Sequence, residues 1–288
     1  MEVIKLQTIK EDNQITIIKN MYAQGMSLQQ IANICECCPN TVKKKLLNNG
    51  VKMRTRAGFK KPWNEDYFET IDTEAKAYFL GFIMTDGNVS IRHCSSPAIR
   101  LQIQTSDNYI LEKLKLEYGT DNKISICNRK TSMSELRVHS KKMAQDLEKY
   151  GVVPCKTGKE QFPIDKIPKY LIRHFLRGFF DGDGWVTITT HGKSKPRLNV
   201  GFCGNVNVIP QIKDYLTKEL GVYNLKPTFK ERDNLSSIIY GSKNDVKKLY
   251  DYFYQDATIY LTRKKDKFDF YYANTELTEI DGNVTHRD

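Results

Sequence analysis

The chain repeats itself once. The segment AYFLGFIMTDGNVSI (77–91) returns as HFLRGFFDGDGWVTI (174–188). Each copy is followed by an alternating strand and a helix that runs into a glycine, ILEKLKLEYG (110–119) and IPQIKDYLTKELG (209–221). SELRVHSKKMAQDLEKYGV (134–152) then matches SSIIYGSKNDVKKLYDYFY (236–254). Self-similarity at a fixed interval means one structural unit built twice. Each unit reads as helix, two strands, helix, two strands, helix. The expected fold is therefore α+β: two pseudo-symmetric αββαββα halves, 73–167 and 168–288, behind a small all-α unit over 1–50 and a basic linker over 51–72.

The strands of both halves alternate. Ile99, Leu101 and Ile103 oppose Arg100, Gln102 and Gln104; Leu136 and Val138 oppose Arg137 and His139. In the second half Leu198, Val200 and Phe202 oppose Arg197 and Asn199, with a shifted Cys203 beyond them. A period of two sets one sheet face on a core and turns the other outward. The outward face is rich in Arg, Gln, Asn, Thr and Ser, which can bond base edges in a major groove, whereas a merely solvated face would carry more Lys and Glu.

Within the repeat, FLGFIMTDG (79–87) and LRGFFDGDG (176–184) each open as an apolar helix and end in Asp–Gly. Thr73 and Glu74 suit the start of the first helix, Pro168 that of the second. Gly81 and Thr85 are four apart, as are Gly178 and Gly182. Small residues at that spacing let two helix backbones approach closely. The glycine after each acid is expected to stop its helix in the left-handed conformation. Asp86 and Asp183 then emerge side by side at helix C-termini, where the dipoles disfavour anions. Such a pair is poor for stability alone and becomes sensible with a divalent cation between the acids and phosphates. The terminal carbonyls of Thr85 and Gly182 are further candidate ligands. Mg²⁺ suits an all-oxygen site that keeps several waters.

These motifs resemble the LAGLIDADG signature, and the chain resembles the LAGLIDADG homing endonucleases over about 200 residues, in the order and spacing of its elements. The resemblance implies that Asp86 and Asp183, at the eighth motif position, are catalytic metal ligands. It implies Mg²⁺-dependent hydrolysis of one phosphodiester on each DNA strand across a minor groove, leaving 3′ overhangs. It also implies a lysine near each scissile phosphate; Lys156 and Lys264 match by position, with Lys159 and Lys265 as close competitors. Such a lysine polarises the attacking water, neutralises charge on the phosphate, or only contacts it. The sixth motif position is Met84 in one copy and Asp181 in the other, so the halves are not equivalent. The implied partner is double-stranded DNA with a long asymmetric site, bound by a monomer. The same scaffold also suits an intron maturase that binds RNA, or a regulator that binds DNA without cutting; the presence of both acids favours the nuclease.

Ahead of the repeat, residues 15–50 read as three short helices. Ile17, Ile18 and Met21 mark the first apolar face, and Ser27 with Gln30 forms a capping box for the second helix. Pro39 suits a first helical residue; Val42, Leu46 and Leu47 form the third face, and Gly50 stops it. GMSLQQIANICECCPNTVKKKLLNNGV resembles a resolvase-type helix-turn-helix. Its third helix would enter a major groove with Asn40, Thr41, Lys43 and Lys44, the alternative being a plain three-helix bundle with a solvated lysine face. Residues 43–61 hold eight Lys or Arg and no acid; Arg54, Arg56, Lys60 and Lys61 are candidates for tracking phosphates or a minor groove.

Charge and cysteine usage agree with this reading. A net charge of +11 on a chain that is 40% apolar points to a folded protein with a polyanionic partner. No apolar run approaches the ~18 residues of a membrane span. Residues Met1 to Lys10 hold no apolar signal block, so the expected partner is nucleic acid rather than membrane, and the expected location cytoplasmic. Of seven cysteines only Cys35, Cys37 and Cys38 cluster. A structural zinc wants a second ligand pair, which is missing, so these read as small thiols of a turn in a reducing compartment.

Overall fold

The computed structural model describes residues 11–53, 63–91, 96–128, 131–154, 161–190, 192, 195–230 and 234–284. They fall into two compact units, residues 1–62 and 63–288.

The first unit is three helices, α1 (Glu11–Ala23), α2 (Leu28–Ile34) and α3 (Pro39–Asn48). Ser27 starts α2 through the capping box: its hydroxyl accepts from the Gln30 N–H at 3.2 Å, and the Gln30 side chain accepts from the Ser27 N–H at 2.9 Å. Pro39 is the first residue of α3. Gly50 closes that helix at φ +75°, and the Val51 N–H returns to the Leu46 carbonyl at 3.0 Å. Ile18, Tyr22, Ile31, Ala32, Val42 and Leu46 form the core. Leu47, expected on the same face, is 49% exposed. One residue beyond Leu46 it has turned about 100° around the helix, away from α1 and α2.

The second unit begins with α4 (Glu74–Asp86), β1 (Gly87–Ser90), β2 (Ala98–Gln104), α5 (Asn108–Tyr118), β3 (Ser125–Asn128), β4 (Ser132–His139) and α6 (Lys141–Lys149). The series repeats as α7 (Ile172–Asp183), β5 (Gly184–Thr189), β6 (Arg197–Asn205), α8 (Ile209–Leu220), β7 (Leu225–Lys230), β8 (Leu235–Tyr240) and α9 (Lys243–Tyr254). A further helix, α10 (Thr262–Val284), lies beyond the expected seven-element pattern. The two antiparallel sheets share one topology, β1-β2-β4-β3 and β5-β6-β8-β7. The chain is thus α+β with two αββαββα halves, and one apolar core runs through both.

The helix pair α4/α7 sits at the centre. Its backbones touch at the glycines: a Cβ on Gly81 would collide with the Phe175 carbonyl and reach 2.8 Å from the Phe179 nitrogen. One on Gly178 would collide with the Tyr78 carbonyl and reach 3.1 Å from the Phe82 nitrogen. Tyr78 and Phe175 hold the same place in the two motifs, as do Phe82 and Phe179, so the contact is reciprocal about a pseudo-twofold axis.

Three expectations need correction. Gly87 and Gly184 do not end their helices in the left-handed region; their φ values are −79° and −95° and both begin strands. They are small because the chain turns back on itself there, and a Cβ would strike Ile83 in one case and Phe180 in the other. Pro168 does not start α7 directly. It opens a single 3-10 turn, Lys169–Leu171, with the Leu171 N–H on the Pro168 carbonyl at 2.8 Å, and α7 begins at Ile172.

The third concerns strand equivalence. Asn88 pairs with Arg100, while Trp185 pairs with Gly201. The places of Arg100, Gln102 and Gln104 are therefore taken by Gly201, Cys203 and Asn205. Arg197 and Asn199 sit further along the hairpin, opposite Thr189 and Thr187. The cause is a longer hairpin, six residues in β5 against four in β1 and nine in β6 against seven in β2.

Candidate active site

Asp86 is the last residue of α4 and Asp183 the last of α7. Gly182 has no side chain, and a Cβ there would reach 2.6 Å from the Thr85 Cβ. The residues immediately before the two acids are thus in contact, which brings the helix ends together. Asp86 is exposed and Asp183 half-buried.

Lys264, in the first turn of α10, reaches the same place from below. It is only 4% exposed, and its ammonium donates to the carbonyls of Phe180 (2.5 Å), Asp181 (2.8 Å) and Gly184 (2.5 Å). A cation at the C-terminal end of α7 complements the helix dipole and satisfies carbonyls left without a partner. Burial pushes its pKa down to about 8, against the pull of the Asp181, Asp86 and Asp183 carboxylates. Lys264 therefore feels both motif acids. The carbonyl of Gly182 is not among its three partners. Lys265 points elsewhere, to Asp269 at 2.6 Å. Lys156, Lys159, Arg54, Arg56, Lys60 and Lys61 lie outside the described residues.

Beneath the acids is a buried polar layer that the sequence reading did not assign. Asp181 accepts from the Tyr78 hydroxyl and from the Leu261 N–H, both at 2.8 Å. Burial pushes its carboxyl up despite Lys264 and these donors. Arg177 is fully buried and donates to the carbonyls of Ile259 (2.7 Å) and Phe253 (2.9 Å), to His174 Nδ1 (2.8 Å) and to Glu74 (2.6 Å). Burial opposes the charge on Glu74, but the Thr258 N–H and the Arg177 guanidinium outweigh it and hold the carboxyl below its usual range. Asp181, Arg177 and Glu74 together fasten the 253–264 segment, and with it Lys264, to the motif helices. The available signal was an Arg and an Asp inside an otherwise apolar motif.

The outward sheet faces flank this centre. In the first sheet Gln102, Gln104, Arg137 and His139 are exposed and Arg100 half-buried. Arg100, Gln102, Ser125, Met133, Glu135 and Arg137 line an open cleft of about 780 Å³. In the second, Arg197 is exposed and Asn199 donates to the Thr189 hydroxyl at 3.0 Å. Cys203 donates its thiol to the Asp183 carbonyl at 3.1 Å. In the N-terminal unit Asn40, Lys43 and Lys44 are exposed and Thr41 half-buried, its hydroxyl 3.0 Å from the Cys38 sulfur. No group of three or more His, Cys, Asp or Glu able to hold a metal occurs among the described residues. None of their helices is long and apolar enough to cross a membrane.

No protein-family model and no curated protein matches the sequence. Solved structures do match the fold. The I-SmaMI LAGLIDADG homing endonuclease bound to cleaved DNA is 14% identical with a TM-score of 0.52, over 75% of this chain and 93% of that one. I-SmaMI bound to uncleaved DNA target in the presence of calcium ions gives the same identity and TM-score over 73% and 93%. The I-LtrWI LAGLIDADG homing endonuclease bound to target DNA is 11% identical with a TM-score of 0.50, over 77% and 94%. With its two motif helices packed reciprocally between two matched four-stranded sheets, this chain has the LAGLIDADG homing endonuclease fold in its single-chain, two-motif form.

Proposed function

We propose that this protein is a site-specific double-strand DNA endonuclease that works as a monomer, depends on Mg²⁺ or a similar divalent cation, and leaves 3′ overhangs. One observation carries the reading. Two like-charged side chains, Asp86 and Asp183, end two helices whose last turns touch at Thr85 and Gly182. Each acid stands where its helix dipole is unfavourable to it. The fold does not need that arrangement, and a bound cation gives it a purpose.

The donor set fits a hard cation. It offers two carboxylates and, from Thr85 and Gly182, backbone carbonyls, with no third acidic or soft ligand forming a closed cage among the described residues. Mg²⁺ prefers such a partial set because it keeps several waters. When bound, the metal supplies an activated water and neutralises charge on the phosphates. The chain's own residues do the rest. Lys264 keeps a positive charge beside both acids and holds the end of α7 in place. Arg100, Gln102, Gln104, Arg137 and His139 present donors and acceptors to base edges in one half-site, and Arg197 and Asn199 to the other. Asn40, Thr41, Lys43 and Lys44 of the N-terminal unit make a further DNA contact.

The test is incubation of the full chain with a randomised duplex library and Mg²⁺, followed by sequencing of the cut ends. The expected result is one family of asymmetric sites with staggered 3′ ends, lost with EDTA. A library left uncut, or cut without sequence preference, would overturn the reading.

A further inference from the structure

Both sheets keep the same register below the motif acids. Gly87 pairs with Leu101 and Leu101 with Leu136; Gly184 pairs with Phe202 and Phe202 with Ile238. These rows face the core. One residue on, the chain faces outward, and the corresponding rows are chemically unlike. In the first sheet the row is Asn88, Arg100 and Arg137. Arg100 donates to the Asn88 side-chain oxygen Oδ1 at 2.6 Å, and Arg137 donates to the Glu135 carboxylate at 2.6 and 3.0 Å, so both guanidinium groups are held in place.

In the second sheet the same row is Trp185, Gly201 and Ile239. It has no charge. The indole lies across the glycine so closely that a Cβ on Gly201 would come within 2.7 Å of the Trp185 Cη2. Trp185 and Ile239 are both half-buried. The next outward row repeats the contrast, Gln102 and Glu135 against Cys203 and Ser237.

We infer that Trp185 is a specificity-determining residue: the Trp185 row of the second sheet reads thymine methyl groups where the matching Arg100 row of the first reads guanine, while Arg197 and Asn199 act further along β6. The inference rests on the DNA-cleaving reading above. In the major groove guanine offers N7 and O6 to a guanidinium, and the thymine C5-methyl is the apolar feature of that groove. An indole fixed over a glycine offers a rigid apolar surface and loses little side-chain entropy on contact. Arg100 cannot be replaced by any side chain at the equivalent position of the second sheet while Trp185 keeps this pose, because the indole occupies the space.

The experiment starts with selection of a bound site from a randomised duplex pool by the full chain, with Ca²⁺ in place of Mg²⁺. Each thymine of the selected site is then replaced by deoxyuridine, which removes the methyl and nothing else, and each guanine by 7-deazaguanine, which removes N7. Binding should weaken about fourfold per methyl in one half-site, the factor that burying one methyl group is worth. The other half-site should ignore uridine and respond to 7-deazaguanine. Trp185→Ala should abolish the uridine effect, and Trp185→Asn with Gly201→Arg should change the preferred base there from thymine to guanine. Equal uridine sensitivity in the two half-sites, or none in either, overturns the inference, as does a Trp185→Ala variant that keeps it. The uridine measurement on the unaltered chain stands whether or not the variants fold. A pool that yields no enriched sequence overturns the DNA-cleaving reading itself, whereas a selected site that ignores uridine overturns only the assignment to Trp185.

Discussion

Gly81 and Gly178 face each other's helix across the pseudo-twofold axis, each against the backbone of the residue that lies three places before the other's glycine, Phe175 and Tyr78. Replacing either by alanine gains about 1 kcal/mol of helix propensity. The new methyl meets backbone rather than a side-chain tip, so overlap should win, costing roughly 1–3 kcal/mol or more. Urea denaturation should show both variants less stable than the parent. Gly182→Ala, which meets the Thr85 side chain, should cost less because a side chain can move.

Asp86→Asn and Asp183→Asn should each abolish double-strand cleavage while leaving DNA affinity within a few fold. The amide has nearly the shape of the carboxylate but gives up the charge that holds a cation. Plasmid cleavage and gel-shift titration measure the two effects separately. Undiminished cleavage by either variant would remove that acid from the site.

Lys264→Met should do two kinds of damage. It leaves the carbonyls of Phe180, Asp181 and Gly184 without their shared donor, and removes the cation that most favours the charged form of Asp181. The loss should be roughly 3 kcal/mol or more of stability, together with a fall in cleavage for all target sequences alike. A lysine that only touched a phosphate would leave the unfolding midpoint unchanged, so a denaturation curve beside a cleavage assay distinguishes the two roles.

His174 gives the fold an acid-sensitive group. Burial pushes its pKa down to about 4, with Arg177 and Arg173 adding to the effect and Glu74 opposing it, from an ordinary value of 6.5. The unfolded chain therefore takes up this proton before the folded one. The stability tied to a neutral His174 is fully present above about pH 6.5 and is lost as the pH falls towards 4. The amount is on the order of 1–3 kcal/mol. His174→Gln keeps an acceptor for Arg177 without the titration, and should flatten the fall of the urea midpoint across that window.

Deleting residues 1–62, the first compact unit, should weaken DNA binding and flatten its salt dependence. Lys43 and Lys44 are exposed midway along α3, where phosphate contacts would release counterions. Binding titrated against salt, with footprinting of the site ends, measures this. An unchanged slope and footprint would assign the unit another role.

The sequence by itself determined the order of elements within each half up to α9, the doubling of the unit, the capping of α2 by Ser27 and Gln30, and the close approach at Gly81 and Gly178. These are local matters of period, cap chemistry and side-chain size, and they can be read over a few residues. It also marked Asp86 and Asp183, because one motif occurring twice says more than either copy. Only the tertiary structure decided that Lys264 comes up under α7 and that Asp181 and Arg177 tie the 253–264 segment to the motif helices. Those partners are some 80 residues apart along the chain, and no local pattern encodes such a distance. The glycines after the acids posed a different difficulty: a need for a small residue looks alike in sequence whether it arises from backbone angle or, as with Ile83 and Phe180 here, from crowding. Strand equivalence was decided last of all. Two extra residues in each of β5 and β6 shift Gly201 to the place of Arg100, and only hydrogen-bond register, which is set between strands and not along them, reveals that one half presents a guanidinium where the other presents an indole.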